Sequence, residues 1–479
     1  MKTRVLGGDL RTVELRTRMP FKYGIATMTQ MPMAFVRLAV ETARGQSVGI
    51  AADLLPPKWF TKDPARPLAE EITEMLGVIR RAMAFAIGMG ADTPFDFWRL
   101  LHAAQSRWAV AEKLPPLLAH FGTSLVERAV IDATCRAAGR PFARLLRDNA
   151  LGIRLGELHA ELDGAQPADF LPTEPLARIT ARHTVGLADP LRDGDIAPAE
   201  RLDDGLPQSL EACITHYGLR HFKIKVNGDL ERDLERLHRV AEVIESRAGA
   251  DFAFTLDGNE QFKSAGEFRA FWMAVTGSAR LRGFLSRLLF VEQPLHRDVA
   301  LDADAGAALS QWPDRPPLII DESDGSLDSL PVALALGYDG TSHKNCKGVF
   351  KGVANRCLLL HRQRNAGPGQ PARFLMSGED LCNVGPVALL QDLAVCAVLG
   401  ISSVERNGHH YNAGLSQFPR AVQEQVLKLH GDLYHAAPAG WPTLTIRDGE
   451  VDLSSVNGSP FGVRFLVDVA AFEKLGGDP

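Results

Sequence analysis

What most constrains the fold of this chain is an alternation that runs from His221 to about Val404: short apolar runs closed by charged clusters, with longer stretches of helical period between them. HFKIKV precedes DLERDLERLHRVAEVIESR, FAFTLDG precedes GEFRAFWMAV, and LLFVEQP and PLIIDES follow in turn. Apolar runs of strand length separated by polar, amphipathic segments predict parallel β/α units rather than a sandwich or a helical bundle. The closing clusters are Lys223-Ile-Lys225, Asp257-Gly-Asn259, Glu292-Gln-Pro294, Asp321-Glu322 and Lys344, each about one strand-plus-helix unit from the next. Successive parallel strands therefore deliver one group apiece to the same end. In a closed (β/α) barrel those groups meet at the carboxyl-terminal mouth, so separation in sequence becomes convergence in space.

The flanks read differently. Residues 12 to 52 alternate with the strand period and form an antiparallel meander, and residues 65 to 148 carry helical periodicity, strongest in EEITEMLGVIRRAMAFAIG and SLVERAVIDATCRAAGRPFARLLRD. This first section is α+β and distinct from the alternating one. Residues 190 to 208, rich in Asp, Pro and Gly, read as a long surface loop inserted between barrel units. Near the end, WPTLTIRDGEVDLSS reads as a hairpin turning at Asp448-Gly449, expected to fold back onto the meander and make the smaller domain discontinuous. A chain of 479 residues is long enough for a barrel and this second domain.

A net charge of −5 and the absence of any basic run leave no electrostatic footprint for nucleic acid. No stretch reaches eighteen consecutive apolar residues, so no membrane span is expected. The polar start lacks the apolar core of a secretory signal, and six cysteines without short paired spacings fit reduced thiols in a cytoplasmic enzyme. Cys346, close to Lys344, is expected to pack beneath the site.

Asp257, Glu292 and Asp321 at three successive strand ends would make a hard, all-oxygen site carrying three negative charges. Such a site suits one Mg²⁺ ion, or Mn²⁺ in its place, and no His or Cys shows the ligand spacing that zinc would require. Glu322 follows Asp321 directly and on a regular strand faces the other way, so Asp321 is taken as the ligand. That leaves Glu322 to hold a lysine, or to bind the metal if the strand has already ended. Lys223 and Lys225 are two apart and project to one face, where mutual repulsion is expected to lower at least one pKa toward the range of a general base. Lys344 arrives from a strand across the barrel. These parts describe abstraction of the proton α to a carboxylate. That transfer is uphill by about 27 kcal/mol for a carbon acid about 20 pKa units weaker than an ammonium, unless the developing enolate is stabilised. A divalent ion at both carboxylate oxygens supplies that stabilisation.

The same residues resemble the mandelate racemase and muconate-lactonizing branch of the enolase superfamily. FKIKV is similar to its K-x-K strand, TLDGNEQF to its D-x-N ligand strand (Asp257, Asn259), FVEQP and IIDES to its second and third ligands, and SHKNCKGVFKG to the lysine segment of its muconate-lactonizing subgroup. RTRMPFKYG resembles the capping-domain loop, LVERAVIDATCRAAGRPFARLL the first barrel helix, and DGEVDLSS the C-terminal return. The resemblance implies a modified (β/α)₇β TIM-type barrel, residues 126–430, under an α+β capping domain, residues 1–125, completed by a tail, residues 431–479. It implies Mg²⁺ on Asp257, Glu292 and Asp321, with Lys225 and Lys344 as opposed acid/base catalysts, Lys223 beside the substrate carboxylate, and a symmetric homo-oligomer. Two departures stand out: FLMSGEDLCNVGP lacks the His of the His-Asp dyad, and Val349 stands where a second Gly is expected.

In ISSVERNGHHYNAGL, Glu405 resembles a carboxylate that in the family contacts substrate or an acid/base group. His409 and His410 read foremost as loop histidines, and would make the substrate polar if they reached the pocket. Lys22 and Tyr23 of the capping loop are further candidates for substrate contact. Opposed lysines favour racemisation or epimerisation of a small carboxylate; cycloisomerisation or elimination, including acid-sugar dehydration, ranks next. A Schiff-base lysine enzyme and a non-catalytic binding protein remain as rivals of other classes.

Overall fold

The computed structural model describes residues 2–474 except 24 and 368–373; the side chain of Tyr23 lies outside the described residues. Three long antiparallel strands open the chain, β1 (Thr3–Tyr23), β2 (Ala26–Thr42) and β3 (Gly45–Leu54), followed by helices α1 (Leu68–Ala86), α2 (Pro94–Glu112) and α3 (Pro116–Ala138) and a short strand β4 (Gly90–Ala91) that pairs with β1. Alternation along β2 and β3 sends Val36, Leu38, Val40 and Ala51 into a core shared with Met75, Ile79, Phe121 and Leu125 of the helices. Cys346 joins that core, with Leu381 beside it.

Eight parallel strands then close a barrel: β5 (Arg178–Val185), β6 (His221–Lys225), β7 (Ala253–Asp257), β8 (Leu288–Glu292), β9 (Leu318–Ile320), β10 (Gly340–His343), β11 (Leu375–Gly378) and β12 (Ser403–Arg406), with β12 pairing β5. The connecting helices start where short polar side chains cap them. Ser209 accepts from Ala212 N, Asp229 from Arg232 N and Ser264 from Glu267 N, each taking up one of the free N–H groups of a first turn. A small hairpin, β13 (Tyr434–Ala436) and β14 (Pro442–Leu444), and two short strands, β15 (Glu450–Asp452) and β16 (Glu473–Lys474), complete the chain.

The C-terminal hairpin differs from the expectation. Asp448 and Gly449 take positive φ and form the two-residue turn, but β15 pairs antiparallel with β5 of the barrel rather than with the meander. The reason is an open edge: β6 joins β5 only from Arg182 onward, leaving Arg178, Ile179 and Thr180 on that edge for β15. The return to the meander is made later, by β16 against Arg11 and Thr12 of β1.

Cap and barrel are sewn together by charged groups. Arg18 of β1 reaches the Asp/Pro/Gly-rich loop, donating to Asp204 at 2.7 Å and to the carbonyls of Pro207 and Leu206, and also to the carbonyl of His410 at 3.0 Å. Arg128 of α3, fully buried, donates to Asp53 at 2.6 Å, and Asn383 donates to the same carboxylate while accepting from Leu54 N. The β1–β2 hairpin bends over the barrel mouth because four residues of β1, 17–20, stand opposite a single residue of β2 between the Arg16–Gln30 and Phe21–Met28 pairs. Pro20, which has no N–H to give the ladder, lies in that bulge.

Candidate active site

Strand register brings the expected groups together. Lys225, Asp257 and Glu292 are direct neighbours across β6, β7 and β8, while Asp321 and Lys344 each stand just past the end of a strand, β9 and β10. All five are buried at the mouth, and so are Lys223, Asn259, Glu322 and Glu405.

Lys223 Nζ sits at the centre of four carboxylates: Glu292 at 2.9 Å, Glu379 at 2.9 Å, Glu405 at 3.0 Å and Asp257 at 3.1 Å. Lys225 donates to Asp257 Oδ2 and to Asn259 Oδ1, both at 2.9 Å. The two lysines thus share Asp257, as their spacing on one strand face requires. The expected lysine–lysine repulsion does not set the balance. Burial does act to lower the pKa of Lys223, but Asp257, Glu292, Glu379 and Glu405 outweigh it and hold the ammonium well above the ordinary lysine value. The same competition raises Lys344, which loses solvent but gains Asp321 at 2.5 Å and Glu379 at 2.9 Å. Among the acids, burial would raise Asp321, yet Lys344 and Lys347 pull its carboxyl far below the usual range. Glu292, fully buried and next to Glu379, goes well above it.

Gly348, at φ 104°, supplies the turn after Lys344, and Val349 opens the helix Val349–Asn365 without a second glycine. Gln293, held in left-handed backbone at φ 35°, accepts from Asp321 N at 2.7 Å and so pins the carboxylate that follows β9. Glu322 is buried away from Lys344, and its Oε2 has no hydrogen-bond partner among the described residues; burial, then Asp321 and Glu260, push its carboxyl up to about 8.

Four participants were not singled out from the sequence. Glu379 follows β11 directly; Arg182, buried inside the barrel, donates to it at 3.2 Å and Ser377 at 2.6 Å, leaving its other oxygen to Lys223 and Lys344. Lys347 donates to both Oδ1 and the carbonyl of Asp321. The sequence carries a signal for Glu379: LMSGED closes an apolar run with acids as the other clusters do. Arg182, Lys347 and Gln293 act through neighbours; Gln293 lies inside the Glu292-Gln-Pro294 cluster and Lys347 three residues after Lys344, but those spacings do not say that each reaches a carboxylate or backbone group from another strand.

The mouth forms a pocket of about 490 Å³, counting its open side. Its floor is charged, with Lys223, Lys225, Asp257, Asp321, Lys344 and Glu405. Its roof is apolar: Phe21, Met28 and Met31 from the bent hairpin, and Pro56 and Trp59 from the segment after β3. The Trp59 ring lies 5.1 Å from Lys344 Nζ. Arg297 fixes that segment, donating to the carbonyls of Trp59 and Phe60 while paired with Glu260 at 2.7 Å. Lys22 is exposed and does not line the pocket. His409 and His410 are not loop histidines; they lie buried on the short helix Gly408–Tyr411, away from the pocket lining.

The donors suit a hard divalent cation. Glu292, Asp321 and Glu379 each offer a carboxylate oxygen within 4.8 Å of the others. Glu292 Oε2 has no hydrogen-bond partner among the described residues, its neighbouring cation being Lys223 Nζ at 2.9 Å. Asp257 stands outside that compact trio, beside Glu292 in register.

No family model matches the chain, and a search of curated proteins finds no match. Solved structures do resemble it. One is a mandelate racemase/muconate lactonizing protein from Herpetosiphon aurantiacus, at TM-score 0.58 and 16% identity over 95% of this chain and 97% of that one. Another is an N-succinyl Arg/Lys racemase from Bacillus cereus, at TM-score 0.57 and 16% identity over 95% and 97%. A third is a dipeptide epimerase from Enterococcus faecalis, complexed with Mg and the dipeptide L-Leu-L-Tyr, at TM-score 0.57 and 15% identity over 94% and 99%. At these identities the likeness establishes the fold: a capping domain over a TIM-type barrel, as in the mandelate racemase, muconate lactonizing and enolase proteins.

Proposed function

We propose that the protein is an enzyme of the enolase-superfamily type, a Mg²⁺-dependent racemase or epimerase that moves the α-proton of a small carboxylate bearing an apolar substituent. The observation that carries this reading is the placement of two lysines. Lys225 ends β6 and Lys344 follows β10, four strands apart either way round a ring of eight, and both line one pocket. A substrate between them has a lysine on each face of its α-carbon, so one removes the proton and the other returns it with inversion. Lys223, wedged among four acids, stays an ammonium and meets the substrate carboxylate. Asn259 orients Lys225 through its Oδ1. The apolar roof excludes water and accepts the substituent.

Asp257, Glu292 and Asp321 would hold the metal, with Glu379, anchored by Arg182 and Ser377, serving as counter-charge for Lys223 and Lys344. When bound, the ion supplies stabilisation of the negative charge that develops on the substrate carboxylate. Racemase and epimerase neighbours, one complexed with Mg, support the reading.

The test is incubation of the Mg²⁺-loaded protein in D₂O with N-acylamino acids, dipeptides, α-hydroxy acids and sugar acids, following α-deuterium and configuration by NMR and mass spectrometry. Exchange with inversion, lost in EDTA, is expected for acids with apolar substituents. Exchange without inversion, or loss of water, would assign a lyase or cycloisomerase instead. Activity that survives EDTA and is trapped by borohydride would replace the reading with Schiff-base chemistry.

A further inference from the structure

A second cluster of ligand-type side chains lies on the outer face of β5. Along that strand Arg182 and Thr184 point into the barrel, to Glu379 and Glu405, so His183 between them points outward. There it meets Cys213 on the helix Leu210–Tyr217 and His409 and His410 on the helix Gly408–Tyr411. We propose that His183, Cys213 and His410 form a second metal site, distinct from the carboxylate cluster, that takes Zn²⁺ or a comparably soft cation.

Each of the three offers a donor atom within 4.8 Å of the other two, and all are buried. Cys213 Sγ lies 3.5 Å from His410 Nδ1. A tetrahedral zinc with S and N bonds of about 2.3 and 2.0 Å sets those two atoms about 3.5 Å apart. Without a cation the cluster is poorly satisfied: its contacts are a thiol against an imidazole and, at 3.4 Å, the His183 imidazole against that of His409, whose Nδ1 is buried with no partner among the described residues.

A partner behind the ligands is also present. Asp189 Oδ2 stands 4.0 Å from His410 Nε2 and is itself held by the hydroxyl of Tyr411 at 2.5 Å and by Gly186 N at 2.7 Å. A carboxylate hydrogen-bonded to a ligating imidazole fixes its ring and raises its basicity, and the 4.0 Å gap would have to close by about 1 Å on metal binding to make that bond. Two imidazoles and a thiolate select zinc over Mg²⁺. The ion would clamp β5, the helix after it and the Gly408–Tyr411 turn, where Tyr411 stacks on Phe21 of the pocket roof at 4.0 Å. Its role is to hold the seam between roof and barrel.

The full-length protein is loaded with zinc, dialysed against excess Mg²⁺ so that the oxygen ligands are filled, and read by metal analysis and zinc X-ray absorption. One zinc per chain should remain, with one sulfur neighbour at about 2.3 Å and nitrogen neighbours. Cys213→Ser should lose the sulfur neighbour and the retained ion. In the unmodified protein, Co²⁺ should give an intense thiolate charge-transfer band that Mg²⁺ does not remove, a readout independent of whether the variant folds. Zinc that dialyses away, a shell of oxygen alone, or Co²⁺ without that band would overturn the proposal.

Discussion

The floor and roof of the pocket are built on opposite principles. The floor comes from the barrel, where Lys223, Lys225, Lys344, Asp257, Glu292, Asp321, Glu379 and Glu405 are buried at the mouth and bonded to one another and to the polar groups around them. The roof comes from the cap and has Phe21, Met28, Met31, Pro56 and Trp59. A floor of fixed charges is costly to rearrange, since each buried ion depends on its partners. A roof of methionines and aromatics adapts its shape at little cost. On the proposed function, reaction type belongs to the floor and substrate choice to the roof.

The sharpest way to break that division is to remove one of the two proposed acid/base lysines at a time. Lys225→Ala should abolish α-proton exchange for one enantiomer and Lys344→Ala for the other, each by about 10²–10⁴-fold, the usual contribution of a positioned acid or base. Equal residual exchange of both enantiomers in both variants would contradict the two-face arrangement. Next in size is the division of labour among the acids. Asp257→Asn should weaken Mg²⁺ binding by about a hundredfold and Glu379→Gln by about tenfold, the two ends of what partners around a metal cost. The reverse order, measured by calorimetry, would make Glu379 the third ligand. The roof should answer more gently. Met28→Ala should raise KM for a substrate with an apolar substituent by about tenfold, in line with the loss of part of a buried side chain's 1.5–3 kcal/mol, and leave kcat nearly unchanged. A kcat loss matching that of the lysine variants would dissolve the distinction.

That division also explains what was legible in the chain. Strand-end chemistry is local: Lys223 and Lys225 two apart, Asp257 and Asn259 two apart, and an acid closing each of FAFTLDG, FVEQP and IIDES can be read without a structure. The barrel and its cap follow from the same periodicities. Glu379 obeys the local rule and was open to the same reading. Arg182 and Lys347 escape it because their partners, Glu379 and Asp321, lie on other strands. The roof escapes it for another reason. Met28 and Met31 look like ordinary core residues of a meander, and only the bulge at residues 17–20 swings them over the mouth. The C-terminal hairpin turned where Asp448-Gly449 dictates, but its docking was set by an open edge on β5 that only the register reveals.

The smallest expected effect concerns how the two regions are joined. Glu127 on α3 is fully buried and accepts from the backbone N–H groups of Val349 and Phe350, at 3.2 and 2.7 Å, where the helix after Lys344 begins. Burial pushes its carboxyl up to about 7 from an ordinary value of 4.5, against the lowering effect of those two N–H groups. A folded-state pKa above the unfolded one means that folding takes up a proton. The stability this contributes is complete below about pH 4.5 and is lost as pH rises through about 7, by at most about 3 kcal/mol. Glu127→Gln keeps an acceptor for Phe350 N but cannot titrate. Its melting temperature should therefore fall less between pH 5 and pH 8 than that of the unmodified protein, whatever constant offset the amide introduces. Parallel pH profiles for the two proteins would mean that Glu127 is ionised throughout. The joint between cap and barrel would then rest on a charge–backbone contact rather than on a neutral carboxyl.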